Sequence, residues 1–171
     1  DALHSKNRLA DELLADVRAA LAEIPGSQLK LVANLPYCVA TPVISNLIAT
    51  DLPWVKMVVT VQYEMGERMA ALPGTEAYSG LAVWLQSQAD VQILRKLGPT
   101  VFWPRPKVDS AVVQVDRNFE RQAAIADRAA FQEFIRTLFT QRRKALRTVL
   151  AGMYKGRLDK AALDRILADL G

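Results

Sequence analysis

The sequence predicts an α/β fold followed by a small all-helical domain, on three observations. Apolar residues at helical spacing alternate with short apolar runs from residue 9 to residue 72, one of those runs is continuously β-branched, and beyond about residue 118 only helical spacing remains. In chain order, Leu9, Leu13, Leu14, Val17, Ala20 and Leu21 predict a helix over about 7–24, ended by Pro25-Gly26. The run Leu29-Lys30-Leu31-Val32-Ala33 predicts a strand. Thr41-Pro42 then opens a second helix through Ile44, Leu47 and Ile48, with proline early in the helix, where its missing N–H costs little. Val55-Lys56-Met57-Val58-Val59-Thr60-Val61 predicts a strand buried on both faces, as in a parallel sheet, and a helix follows over 64–72, stopped by Pro73-Gly74. The crossovers should be right-handed.

From Leu81 the order changes. A helix is predicted over 81–88, a strand at Val91-Gln92-Ile93-Leu94, and another at Ala111-Val112-Val113-Gln114-Val115, after a proline-rich loop over 103–106. Residues 118–127 are polar and alanine-rich and predict a hinge, which divides the chain into domains 1–118 and 119–171. In the second, one long helix over 127–150 is predicted, with Gly152 as its stop and Phe131, Phe134, Ile135, Leu138, Phe139, Ala145, Leu146, Val149 and Leu150 on one stripe.

Composition limits the chemistry. With 171 residues, 51% apolar and 23% charged, the chain can build a sizeable core. No apolar run is long enough to cross a bilayer, and the first residues lack the order of a secretion signal, so a cytoplasmic protein is expected. Cys38 and His4 are the only cysteine and histidine, which removes disulfide frameworks, Cys/His metal sites and imidazole-based nucleophilic pairs. Cys38 itself reads as a small apolar residue at a strand end.

The net charge is +4, and its distribution matters more than its size. Residues 134–158 contain no acid but seven cations: Arg136, Arg142, Arg143, Lys144, Arg147, Lys155 and Arg157. On one helix at about 100° per residue, Arg136, Arg143 and Arg147 would form a ridge opposite the apolar stripe with Lys144 beside it. Such a ridge is either a solvated face or a phosphate-binding surface. The same arithmetic puts Arg142 inside the stripe, where it needs a partner: an intramolecular acid, or an RNA phosphate.

Asn34-Leu35-Pro36-Tyr37 is the stretch with most chemical content. Pro36 holds Leu35 extended, so backbone carbonyls before it stay outside a helical pattern; Asn34 adds an amide oxygen and Tyr37 a flat face. Two acceptors and an aromatic plate suit the exocyclic amine of an extruded base. A strand ending in a plain proline turn is the competing reading.

Together with Val32-Ala33 before it and Ala40-Thr41-Pro42 after it, that stretch, Gln62 with Glu64 and Arg68, Tyr78, Leu81, Phe102-Trp103-Pro104-Arg105-Pro106-Lys107-Val108-Asp109-Ser110 and Gln141-Arg142-Arg143-Lys144 closely resemble the ribosomal RNA adenine N6,N6-dimethyltransferase family. The motifs fall in order over most of the chain, and Leu35 favours the bacterial small-subunit branch over the erythromycin-resistance methyltransferases. The resemblance implies part of a Rossmann-like sheet of an S-adenosylmethionine-dependent methyltransferase. It implies catalytic Asn34, Leu35, Pro36 and Tyr37, base stacking by Tyr37 and Phe102, cofactor contacts from Asp1, Ala2 and Asn34, and RNA contacts from Arg105, Lys107, Arg136, Arg142, Arg143, Lys144 and Arg147. The implied partner is ribosomal RNA in the small subunit, with no metal and no membrane. Phe102 has a plainer reading too, packing with Trp103 in a proline-rich loop, and Gln62, Glu64 and Arg68 read as structural pairs.

One departure from the family is serious and two are smaller. The family's glycine-rich cofactor loop has no counterpart, Gly26 being the first glycine, so an N-terminally truncated member with weak or no cofactor binding is expected. Truncation would leave the strand at 29–33 with a bare edge, which predicts self-association. Cys38 and Tyr63 stand where the family usually has polar or basic residues. Two other classes remain open: a non-catalytic RNA-binding module of the same fold, and an adenine-DNA or glutamine-amide methyltransferase with a related Asn-Pro-Pro-Tyr motif, against which Leu35 and the 102–110 stretch argue.

Overall fold

The computed structural model describes residues 2–5 and 8–169, and the chain divides into two compact units, one ending at Arg128 and the other starting at Ala129. The first opens with β1 (Leu3–Ser5) antiparallel to β2 (Arg8–Leu9), then α1 (Asp11–Glu23). The helix predicted from residue 7 therefore begins at Asp11. Leu9 is taken into the ladder and buried, and Arg8 clasps Asp11 with two bonds of 2.7 and 2.8 Å at the helix start.

Four strands form the main sheet: β3 (Leu29–Asn34), β4 (Trp54–Gln62), β5 (Ala89–Leu97) and β6 (Ser110–Arg117), in the spatial order β3-β4-β6-β5. Only β3 and β4 run parallel; β6 is antiparallel to both its neighbours. The parallel environment read from the β-branched run thus holds on one side of β4 and not the other. One face of β4 (Trp54, Met57, Val59 and Val61) is wholly buried beside Ala111, Val113 and Val115 of β6, and the other is half-buried. Among the described residues β3 is an edge strand, with Val32 77% exposed.

Three helices dress this sheet: α2 (Tyr37–Ala49), α3 (Tyr63–Ala70) and α4 (Gly80–Gln86). α2 starts four residues before the predicted Thr41, because Pro36 already stands at its N-cap; Pro42 lies inside the helix. The carbonyl this leaves without a donor is that of Cys38, in the exposed first turn, where water can reach it. α3 lies so close to the sheet that a Cβ on Gly66 would sit 2.9 Å from Ala111 Cβ, which only glycine avoids.

The predicted hinge over 118–127 is instead partly helical, and belongs to the first unit. Asn118 caps α5 (Phe119–Ala123) by accepting the Arg121 N–H at 2.9 Å, and Gln122 is buried, receiving a 2.7 Å bond from Arg117. Arg117 also donates to the carbonyls of Leu52 and Trp54, and burial pushes its pKa down. Arg128 donates to the carbonyls of Ile48 and Thr50 at the end of α2 and pairs with Asp51, so the compact unit extends ten residues beyond the predicted boundary at 118.

The second unit contains α6 (Arg128–Thr140, whose first residue is the last of the first unit), α7 (Leu146–Met153) and α8 (Lys160–Asp169). The single helix predicted over 127–150 is broken by a turn over 141–145, where Lys144 N–H reaches Gln141 O at 2.8 Å. Apolar periodicity conceals the break, because Leu138 and Ala145, and Phe139 and Leu146, are seven residues apart and stay in helical phase across it. Gly152 lies within α7 and is no stop; the left-handed glycine is Gly156, at φ 81°. Among the described residues of this unit, Ile135, Val149, Leu150 and Leu163 are the buried apolar ones. Among the described residues no helix is long and apolar enough to cross a membrane, and no cluster of His, Cys, Asp and Glu could hold a metal ion.

Candidate active site

The site begins where β3 runs into α2. Asn34 is the last residue of β3, paired with Thr60 of β4, and the Leu35 N–H still donates to Thr60 O at 3.3 Å. Pro36, at φ −55° and ψ 133°, then turns the chain, and its carbonyl accepts the N–H groups of Val39 and Ala40 at 3.0 and 3.1 Å. That commits the Pro36 carbonyl to the helix, so a main-chain acceptor for a ligand has to come from Leu35. The Asn34 side chain is exposed and makes no hydrogen bond among the described residues.

Facing this bend is the loop between β5 and β6. An opening of about 290 Å³ is lined by the whole Asn34-Leu35-Pro36-Tyr37 stretch together with Phe102, Trp103, Pro104 and Pro106, close to the lower bound of small-molecule pockets. Tyr37 and Phe102 are both half-buried, and both line the opening. The predicted catalytic and stacking residues are thereby brought together, and Asn34 is not sealed into the interior. Trp103 is 96% exposed, so it does not pack the loop as the plainer reading of the Phe102-Trp103 pair required.

Contacts the sequence reading missed hold the two halves of this opening. Tyr37 Oη lies 2.8 Å from Ser110 Oγ, and Ser110, at the start of β6, is wholly buried. At the end of the 99–109 loop Asp109 O accepts the Tyr63 N–H at 2.9 Å, and its carboxylate binds Lys96 Nζ at 2.9 Å while that ammonium sits 4.2 Å from the Tyr63 ring centre. The hydrogen bond to Asp109 raises the pKa of Lys96 above its ordinary value. Tyr63, a departure from the family pattern, is thus the aromatic seat of a cation beside the loop's anchor.

Other predicted residues fall elsewhere. Asp1 lies outside the described residues, and Ala2 is exposed, its carbonyl accepting the Ala10 N–H at 3.0 Å. Cys38 is exposed in the first turn of α2 and is no part of a strand end. Glu64 and Arg68, expected as structural partners, form no ion pair among the described residues. Arg105 and Lys107 are exposed on the loop that carries Phe102.

The predicted basic ridge is divided by the turn over 141–145. Arg136 is bidentate on Glu133, and Arg147 binds Asp164 at 2.5 and 2.7 Å. Both acids lie just outside the acid-free window, which is why counting charges within it overstated the free cations; hydrogen bonds to these arginines hold the Glu133 and Asp164 carboxyls below their usual values. Arg142 is exposed and not in an apolar stripe. With Arg143 and Lys144 it lines a hollow of about 440 Å³ alongside Phe139, Thr140 and Gln141, and neither arginine has an ion-pair partner among the described residues.

The group such an opening suits is a planar base. It does not fit S-adenosylmethionine: Asn34 is the one polar non-aromatic side chain in the lining, no acid is there to take ribose hydroxyls, and the described left-handed glycines, Gly26, Gly74 and Gly156, are not in it.

A mixed sheet with this strand-to-helix bend defines the class as a Rossmann-like fold. The same fold occurs in the crystal structure of a dimethyladenosine transferase from Plasmodium falciparum (TM-score 0.66, 22% identity, 82% of this chain and 56% of that one) and in 23S rRNA methyltransferase ErmE (TM-score 0.60, 20% identity, 91% and 68%). Residues 8–170 match the model for the ribosomal RNA adenine dimethylase family, and the chain belongs to that family. Ribosomal RNA small subunit methyltransferase A proteins from Bacillus mycoides (strain KBAB4) and Bacillus cereus (strain AH187) are each 38% identical to it over 164 residues, 94% of this chain. The chain spans 56% of the length of these relatives.

Proposed function

We propose that this chain carries the substrate-gripping part of an rRNA adenine N6,N6-dimethyltransferase acting on small-subunit ribosomal RNA. The observation that carries the reading is the unengaged Asn34 amide, exposed at an opening that Tyr37 and Phe102 also line.

An adenine amino nitrogen is a poor nucleophile because its lone pair is delocalised into the ring. If Asn34 Oδ1 and the Leu35 carbonyl each accept one amino hydrogen, the nitrogen is drawn toward tetrahedral geometry and its lone pair is taken out of conjugation with the ring. The electrophilic methyl group would come from the family's donor, S-adenosylmethionine, held by residues other than those that line this opening. The chain's own residues need no strong base, since the amino proton turns acidic only after alkylation. Tyr37, its phenol fixed by Ser110, and Phe102 offer aromatic faces, each worth roughly 1–3 kcal/mol per stacked base. An adenine so held has left its stack, so the substrate is a loop or an opened element of the RNA. Arg105, Lys107, Arg142, Arg143 and Lys144 meet phosphates, and Arg136 and Arg147 do so after exchanging a carboxylate for a phosphate.

The lining of the opening, with no acid and no glycine among the described residues, favours a second reading, an RNA-binding module of the same fold that performs no chemistry. Asn34→Ala separates the two in a protein that joins these residues to a cofactor-binding part. On the catalytic reading methyl transfer to small-subunit rRNA falls about 10²–10³-fold, as for loss of one preorganised polar contact, with RNA affinity unchanged. Equal methylation by both proteins would exclude it.

A further inference from the structure

We propose that Trp103 is the stacking platform for the nucleotide next to the extruded adenine; the inference rests on the adenine site proposed above. Of the three tryptophans, Trp54 and Trp84 are 0% and 3% exposed, whereas Trp103 is 96% exposed. An indole is among the side chains most costly to leave in water, and this one makes no hydrogen bond or ring contact among the described residues. Its backbone is restrained nonetheless. Pro104 follows it directly, Pro106 lies two residues further on, and Phe102 before it is extended at φ −117° and ψ 149°. Two successive aromatics therefore serve one opening in different ways, Phe102 as a half-buried wall and Trp103 as its rim.

The charge around the ring selects the occupant. Arg105 and Lys107 are exposed on the same loop and form no ion pair among the described residues, while the loop's nearby acid, Asp109, is taken up by Lys96. A flat apolar face flanked by unopposed cations complements a base with its phosphates, and an adenine drawn into the opening brings its neighbour to the rim. The stack is indifferent to base identity, so Trp103 positions the strand and leaves the choice of adenine to Asn34.

The test uses a short RNA hairpin with 8-vinyladenine, a fluorescent base that keeps the 6-amino group, placed either at the loop adenosine to be extruded or at its neighbours, titrated with the chain and with Trp103→Ala and Trp103→Phe. Because the other tryptophans are buried, quenching of exposed tryptophan emission reports Trp103 alone. The proposal expects RNA to quench that emission. Trp103→Ala should abolish the response at one neighbouring position and weaken binding about tenfold, the scale of one stacked base. The response at the extruded position should persist, and Trp103→Phe should restore most of the affinity. If Trp103→Ala leaves the neighbour's response and the affinity unchanged while the extruded position still responds, the platform is wrong and the adenine site stands. Loss of both responses in Trp103→Ala would make the ring part of the adenine's own grip and overturn the flanking assignment. No response at any position in the unmodified chain would remove the adenine site and this inference together. Emission that shifts with protein concentration in the absence of RNA would show a second copy covering the ring, and overturn it as well.

Discussion

Tyr37 and Ser110 are 73 residues apart in sequence, and their 2.8 Å contact fixes the ring at the mouth of the opening. The two partners are unequal. Ser110 is wholly buried, whereas Tyr37 is half-buried, so deleting one hydroxyl is not equivalent to deleting the other. Tyr37→Phe leaves the serine hydroxyl unsatisfied in the interior and should destabilise by about 1–3 kcal/mol; Ser110→Ala leaves a phenol that water can reach and should cost about 1 kcal/mol or less. Urea denaturation of the two variants checks the order, and a larger loss for Ser110→Ala would contradict it. Asn34 and Tyr37 were legible together because a four-residue motif with its proline fixes their local geometry, whereas Phe102 joined them only through the family resemblance. Ser110 lay within such a motif too, but its partner is brought to it by β-sheet pairing, and nothing in local sequence encodes that.

Among the elements, the strands were the most legible, since β-branched runs have few alternatives; their pairing was not. Whether β4 has parallel or antiparallel neighbours is decided by chain direction two strands away. Lys56 and Asp116 are directly opposite in the β4–β6 register, joined by a bridge of 2.7 Å, and Gln114 donates to the same carboxylate at 2.5 Å. Burial alone would raise the Asp116 pKa, but these hydrogen bonds and the lysine charge outweigh it and hold the carboxyl below its usual value. A depressed folded pKa contributes stability above the unfolded value of about 4 and loses it as pH falls through the folded one. Urea midpoints should therefore fall for the native chain relative to Asp116→Asn on going from pH 6 toward pH 2, with the gap constant above pH 6. A gap that does not change with acid would remove the cross-strand pair from the stability of the sheet. The broken helix over 127–150 marks the limit at this scale: phase survives a five-residue turn, so periodicity gives helical content and not helix number.

At the scale of the whole molecule, free cations count and paired ones do not. Of the predicted RNA contacts, Arg136 and Arg147 already hold carboxylates, while Arg142 and Arg143 have no ion-pair partner among the described residues and Lys144 binds only the Gln141 amide. Replacing Arg142, Arg143 and Lys144 together by glutamine should weaken binding to different RNA sequences alike and flatten the salt slope by about 2–3, the size expected for three phosphate contacts. Replacing Arg136 and Arg147 should flatten it less. Equal slopes for all the proteins would place the RNA elsewhere. The charge count was plain in the sequence, but its pairing with Glu133 and Asp164 was not, because both acids lie just beyond the cationic stretch and one of them is folded back from α8.

The central claim is that Asn34 and the Leu35 carbonyl take the two hydrogens of an adenine amino group. NMR of a hairpin RNA carrying a ¹⁵N-labelled amino group at the extruded adenine, bound to this chain, tests it most directly. Both amino protons should move downfield and exchange slowly with water, and Asn34→Ala should release one of them. Protons that exchange as in free RNA, or that are indifferent to Asn34→Ala, would contradict the account.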